Sequence, residues 1–327
     1  MSQFLNSCGA NAMAGAAMNL LAGRLVAFPT ETVYGLGADA SNADAVARIY
    51  SVKGRPADHP LIVHVASMDG LGDWAAEVPG YAISLARDFW PGPMTLVVNR
   101  SNLAEDFVTG GQNTVGVRVP NHSVALGLLE AFVRAGGKGV AAPSANRFGN
   151  VSPTTAQAVS DELGDYLADG DQILDGGLCE VGVESTIIDC TGSVPKILRP
   201  GAITAQMIVE STGLDVARQS MDSSVKEERV IRVSGSLEAH YAPAAKVLLC
   251  DIPTAGQGFI AHANIETPEG VIRLASPRSD EEFARILYSA MREADSRGLA
   301  EIVVIQPIGM GIAIAIRDRL MRATRRE

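Results

Sequence analysis

The chain has 327 residues, 47% of them hydrophobic, 20% charged and 5% aromatic, with 27 basic against 37 acidic side chains for a net charge of −10. That is too apolar for a disordered chain and long enough for two domains at ~100–200 residues each. The net acidity excludes a surface that coats nucleic acid over its whole extent, but leaves room for one local basic cavity. Cys8, Cys179, Cys190 and Cys250 lie far apart with no CxxC pair, so a disulfide scaffold or zinc site is not expected and a reducing cytoplasm is.

The first charged residue is Arg24. The apolar start lacks a basic n-region and is interrupted by Asn6, Asn11 and Asn19, so the spacing predicts a helix over Ala10–Ala22 in place of a signal peptide. Val26–Pro29 reads as a buried strand. Gly35 and Gly37, set among small hydroxyl residues, predict a backbone that approaches something closely. A helix follows over Asn42–Tyr50, a strand over Leu61–Val65, and a helix over Ala82–Phe89 that Trp90-Pro91-Gly92-Pro93 ends. Met94–Asn99 and Thr114–Val119 read as strands, Ser123–Ala135 as a helix, and Val140–Ala142 as a strand entering Pro143-Ser144-Ala145-Asn146. Ser152-Pro153-Thr154 signals the start of a helix over Thr154–Leu163. Ile173–Asp175 is a strand, Ser185–Asp189 and Lys196–Leu198 a hairpin pair, and Ile203–Ser211 a helix.

Residues Ala217–Arg232 turn polar and charged and read as a linker. Beyond it, Lys246–Cys250 (strand), Asp280–Arg297 (helix), Glu301–Ile305 (strand) and Gly311–Arg326 (helix) predict a smaller α/β domain. The apolar stretch Ile302–Ile316 contains Gln306 and Pro307 and falls short of the ~20 residues of a membrane span. The alternation of strands and helices makes the class α/β, with a mixed sheet.

The usual nucleotide, zinc-protease and serine-hydrolase motifs are absent. What remains is a set of polar residues in loops at strand ends. Lys53-Gly54-Arg55-Pro56 places two cations in a turn that can face one phosphate cluster, although a lone KxR pair is ordinarily solvated. Ser144 and Asn146 follow an apolar strand, where such residues are ordinarily a turn or cap. His64 sits in an apolar strand, where a satisfied core histidine is the common case. Arg118 alternates with Val117 and Val119, so it is either a solvent-face charge or an anion binder, and Arg199 before Pro200-Gly201 is equally ambiguous.

Seven motifs then fall in one order: Phe28–Gly37; Lys53-Gly54-Arg55-Pro56 with Pro60–His64; Trp90–Thr95; Thr114–Pro120; Pro143–Asn146; Glu184–Asp189; and Leu198–Gly201. Together they closely resemble the threonylcarbamoyl-AMP synthase family of the YrdC-like superfamily. His240-Tyr241-Ala242-Pro243 is similar to the start of the extra C-terminal domain of the family's long form. The resemblance implies a twisted mixed-sheet α/β domain over 10–205 with a concave basic pocket. It further implies a small Rossmann-like α/β domain over 244–327, and the linker over 217–243 is expected to cross the pocket as a lid.

It also implies an activity: L-threonine, bicarbonate and ATP become threonylcarbamoyl-AMP and pyrophosphate, and a separate transferase complex passes the group to tRNA. By the same resemblance, Thr32, His64, Arg118, the backbone at Ala142, and Ser185 would hold L-threonine. Lys53, Arg55, His59, Thr114, Ser144, Asn146, Ser152, Arg199 and Tyr241 would hold ATP, with Lys53 and Arg55 stabilising phosphate charge as pyrophosphate leaves. Mg2+ would come with ATP, held by phosphate and water and not by a protein cage. His59 stands where family members often carry Asn, and Ser234–Ala239 replaces a common Pro-Gly-Met stretch. The competing reading is a double-stranded RNA or tRNA-binding module without adenylylation, which small-molecule turnover in the absence of RNA would exclude. Carbamoyl-phosphate-using relatives carry zinc-finger segments, and this chain has no CxxC.

Overall fold

The structure is a computed structural model that describes residues 4–5, 9–217, 231–235, 241–250 and 252–325. Most of the linker expected over 217–243, with His240, and Cys8 at the other end of the chain lie outside the described residues. Among those described, two sheets form. The larger has eleven strands. Across it run Phe4–Leu5, Gln172–Leu174, Val26–Phe28, Gly35–Asp39, Val140–Ala141, Ile62–His64, Thr114–Arg118, Met94–Arg100, Thr186–Asp189 and Lys196–Arg199, and Ala75–Glu77 pairs with Met94–Arg100 off that path. Parallel and antiparallel pairings alternate irregularly, so the sheet is mixed as the strand pairs predict.

The smaller sheet orders its strands Lys246–Leu248, Glu301–Val304, Gly258–Ile260 and Ile272–Ala275, all parallel. The pattern reading missed Gly258–Ile260 and Ile272–Ala275. Each is three or four residues long and flanked by polar loops, too short for alternation to register.

The helices follow their stripes. Ala10–Leu21 and Ser123–Arg134 pack together through Met13, Ala17, Leu20, Leu128 and Phe132. Ala43–Lys53 is capped by Asn42, whose Oδ1 accepts from the Ala45 amide, and ends at Gly54 with φ +62°. This helix runs three residues past the expected end. Lys53 stands four residues after Ile49 on the buried stripe with Ala45 and Val46, so it belongs to a helix face and not to a turn. Ala156–Leu163 is capped by Thr155, whose Oγ1 accepts from the Ala158 amide, and begins two residues later than the expected Thr154.

Gly35–Asp39 is a strand that the sequence reading did not draw. The close approach expected there is to the sheet's own neighbours. A Cβ on Gly37 would lie 2.8 Å from both the Phe28 ring and Val140 Cγ1.

A single apolar cluster crosses from one sheet to the other. Val33, Val151 and Val183 pack with Tyr241, Phe283, Leu287, Tyr288, Met291, Ile316 and Leu320. The two halves therefore share a core, with the long helix Asp280–Ser296 between them.

Candidate active site

A cavity of about 520 Å3, measured out to its mouth, opens among strand ends of the large sheet, with Ser234, Gly235 and Tyr241 also on its wall. Of the residues singled out from the sequence, Thr32, Arg55, His64, Arg118, Ala142, Ser144, Ser185, Arg199 and Tyr241 line it. The sheet register explains the first grouping. His64 and Arg118 are direct partners across the parallel pair Ile62–His64 and Thr114–Arg118. The Ala142 amide donates to Ile62 O at 3.0 Å, which fixes the third wall.

Arg118 is buried, and the choice left open between a solvent-face charge and an anion binder narrows accordingly. Its Nη1 donates to Thr32 Oγ1 at 2.9 Å and its Nε to Gly92 O at 3.3 Å. Its Nη2 lies 2.7 Å from Glu31 Oε1, without hydrogen-bond alignment. Among the described residues, Arg118 Nη2, both Glu31 carboxylate oxygens and His64 Nδ1 have no aligned hydrogen-bond partner. Buried polar atoms left in this state are rare in a finished interior, and a cluster of them marks a place built for a polar ligand. Burial, with the charge of Arg118 adding to it, pulls the His64 imidazole down to about 3, so the ring is neutral at pH 7.

The residues expected to meet the ATP phosphates are buried or on the wall nearby. Lys53 is 2% exposed, does not reach the cavity wall, and donates its ammonium to the carbonyls of Ser144 and Asn146. Burial first, and the charge of Arg55 second, pull that ammonium well below its ordinary value. Arg55 does line the cavity. Its Nη2 reaches Pro60 O at 3.1 Å and Ser234 Oγ at 3.3 Å, while its Nε has no aligned partner. Burial brings its guanidinium down to about 10. Asn146 is fully buried, and its Nδ2 is spent on Arg147 O and Asn150 O.

Arg199 donates through Nε and Nη2 to Ser185 O, through Nη2 to Ser185 Oγ, and through Nη1 to Ser234 O at 2.8 Å. Ser234 and Gly235 of the described segment 231–235 line the cavity. The segment is held there also by Gln112, whose Oε1 accepts from the Arg232 amide at 2.7 Å and whose Nε2 donates to Arg232 O at 3.0 Å.

Other candidates sit apart. Thr114 lines a neighbouring cavity of about 290 Å3 with Gln112, Thr95, Val97 and Val233, which meets the first at Ile62 and Ser234. His59 is half-buried outside both, with its ring edge-on to Phe148 at 5.4 Å. Ser152 is buried and donates to Glu184 Oε1 at 2.7 Å.

The sequence reading assigned no role to Glu31, Glu184, Ser234 or Gly235. Glu31 carried one usable signal, an acid beside Thr32 that can balance a buried arginine. Glu184 is the one carboxylate on the cavity wall among the described residues, and it is already held by Ser152, Tyr288 and Arg319. Burial raises its carboxyl, but the charges of Arg319 and Arg199 outweigh that and hold it at about 2. No group of three metal-binding side chains occurs among the described residues, and no described helix is long and apolar enough to cross a membrane.

This fold and pocket place the chain in a recognisable class of α/β protein. Residues 19–201 match the Sua5/YciO/YrdC family model, whose description reads "Telomere recombination". Residues 203–324 match a second model, described as the C-terminal domain of threonylcarbamoyl-AMP synthase. The chain is 40% identical to the threonylcarbamoyl-AMP synthase of Pyrococcus abyssi over 322 residues, covering 92% of this chain and 91% of that protein. It is 36% identical to the Bacillus subtilis threonylcarbamoyl-AMP synthase over 333 residues, covering 95% and 92%. A solved structure of P. abyssi Sua5 complexed with L-threonine superposes with a TM-score of 0.84 at 37% identity, over 97% of this chain and 95% of that one. The chain belongs to the threonylcarbamoyl-AMP synthase family, in its long form with both domains.

Proposed function

We propose that this protein makes L-threonylcarbamoyl-AMP and pyrophosphate from L-threonine, bicarbonate and ATP, for modification of a tRNA adenosine by a separate transferase. The observation that carries the reading is the cluster of buried, unaligned polar atoms around Arg118 and His64, at the pocket wall. Threonine needs a carboxylate site, a hydroxyl site and an amine left free to react. Arg118 Nη2 is a charged donor without an aligned acceptor, suited to the carboxylate. Thr32, neutral His64, Ser185 and the backbone at Ala142 surround the rest.

ATP takes the other end. Arg55 and Arg199 face its phosphates, Ser144 and Tyr241 lie beside it, and Thr114 is reached through the adjoining cavity. Lys53 acts from behind the wall by holding the Ser144 and Asn146 carbonyls, Asn146 braces the same loop through Arg147 O and Asn150 O, and Ser152 holds Glu184. His59 lies outside both cavities and contributes least. Magnesium enters as the ATP complex. The single carboxylate on the wall, Glu184, is fully engaged, so phosphate oxygens and water hold the ion.

The chemistry is then one of positioning. Bicarbonate takes up a proton and releases water to give CO2; the threonine amine adds to its carbon, and the proton the amine loses balances the one taken up, giving a carbamate. A carbamate oxygen attacks the α-phosphorus, and the bond to the bridging oxygen breaks as pyrophosphate leaves. Arg55 meets the charge that develops on the leaving group. A narrow, water-poor pocket protects the carbamate from hydrolysis. Pyrophosphate release from ATP, measured with and without threonine and bicarbonate and with serine as a control, tests this. Release that depends on both is expected. Its absence from folded, ATP-binding protein would shift weight to an RNA-binding role. Limited proteolysis of the linker, with and without ATP plus threonine, tests the lid reading, and identical cleavage counts against it.

A further inference from the structure

Arg319 belongs to the last helix of the second sheet, Ile312–Ala323, yet its side chain ends among residues of the first. It is fully buried. Its Nε donates to Glu184 Oε2 at 2.7 Å and its Nη2 to Pro200 O at 3.0 Å, while Asp318 holds Nη1. Glu184 directly precedes Ser185, and Pro200 directly follows Arg199, the two cavity residues that bond to each other. Ser185 Oγ is fixed on its other side by Thr95 Oγ1 at 2.8 Å. There is no slack between the two segments, because a Cβ on Gly201 would lie 2.4 Å from the Thr186 amide. Tyr288, on the helix Asp280–Ser296, donates to Glu184 as well. Arg319 also lies 5.2 Å over the ring of Tyr241, which stacks on Tyr288. Tyr241 keeps φ +64°, a conformation that a tyrosine adopts only where its surroundings impose it.

We propose that Arg319 is a positioning residue for the synthesis. By gripping Glu184 and the Pro200 carbonyl at once, it sets Ser185 and Arg199 in the register at which threonine and ATP meet. The second domain thereby braces the pocket wall from behind, through Glu184 and Pro200. The claim rests on the functional reading above. It depends on the planar fork of arginine, which serves a carboxylate and a carbonyl together, where a lysine ammonium serves one or moves between them.

Arg319→Lys tests it, because it keeps a positive charge opposite Glu184. The expected variant unfolds near the wild-type midpoint, raises KM for threonine and ATP about tenfold, and exchanges the amides of residues 185–187 and 201 faster. In a Ser185→Ala background the same substitution adds little, since the route to threonine is already cut. Wild-type KM values with unchanged exchange, or a fully additive penalty in the Ser185→Ala background, would overturn the proposal. If Arg319→Lys does not fold, Tyr288→Phe removes one donor to Glu184 while keeping the ring. A rise in KM of about threefold is then expected, and unchanged KM values overturn the proposal. Wild-type threonine-dependent pyrophosphate release is the control. Its absence counts against the functional reading, while amide exchange at 185–187 and 201 still decides the positioning claim.

Discussion

Two buried glutamate–arginine pairs bracket the pocket, and they are finished differently. Glu184 and Arg319 form a closed set: the carboxylate accepts from Ser152, Tyr288 and Arg319, and every nitrogen of the guanidinium has a partner. Glu31 and Arg118 are equally buried and just as close, at 2.7 Å, yet both carboxylate oxygens and Nη2 lack an aligned bond among the described residues. The same two side chains thus serve two ends. A closed buried pair fixes architecture, and an open one keeps bonding capacity for something that arrives later.

The contrast sets the order of expected effects. Glu184→Gln leaves the buried Arg319 with Asp318 as its remaining counter-charge and takes the charged acceptor from Ser152 and Tyr288, which together cost about 3–5 kcal/mol of stability in denaturant unfolding, and added threonine should restore none of it. Glu31→Gln costs less, up to about 3 kcal/mol, and threonine should give back more stability than it adds to the wild type, because its carboxylate replaces the missing charge. Equal rescue of both variants would erase the distinction. Arg118→Ala keeps ATP binding but weakens threonine binding by about 1.5–3 kcal/mol, roughly ten- to a hundredfold, which titration calorimetry reads directly.

The neutral His64 predicts a pH effect. Its folded value of about 3 lies below the 6.5 of a free imidazole. Stability gained from keeping it neutral is complete above pH 6.5 and is lost as pH falls toward 3, by up to about 1.4 kcal/mol per unit. Unfolding free energies at pH 7 and 5 should therefore converge in His64→Gln relative to the wild type, and parallel curves would contradict the burial of a neutral ring. The smallest effect is expected from Thr155→Ala, which removes a helix cap worth about 1 kcal/mol and should leave both KM values unchanged.

Most of the large sheet was legible because its strands alternate with helices and end at prolines and glycines, whereas Phe4–Leu5, Gly35–Asp39 and Ala75–Glu77 are too short or too glycine-rich to carry an alternation. The site was legible in its residue types but not in its bonding. Arg118 between two valines shows which face it takes in the strand, but a single strand does not reveal that both faces are covered. Lys53 read as half of a turn because Gly54-Arg55-Pro56 follows it, whereas the stripe from Ala45 through Ile49 carries it inward. Arg319 was the hardest to see. It sits among Arg317, Asp318 and Arg322 on a helix that reads as a solvated charged face, and its carboxylate partner is 135 residues away. Only the crossing of the apolar core between the sheets brings them together.

The most direct test of the account is L-threonine titrated calorimetrically into wild type and into Arg118→Ala, alongside pyrophosphate release with bicarbonate and Mg·ATP. The account predicts saturable threonine binding and threonine-dependent release in the wild type, with both reduced at least tenfold in the variant. A folded Arg118→Ala protein that binds threonine and releases pyrophosphate like the wild type would contradict it.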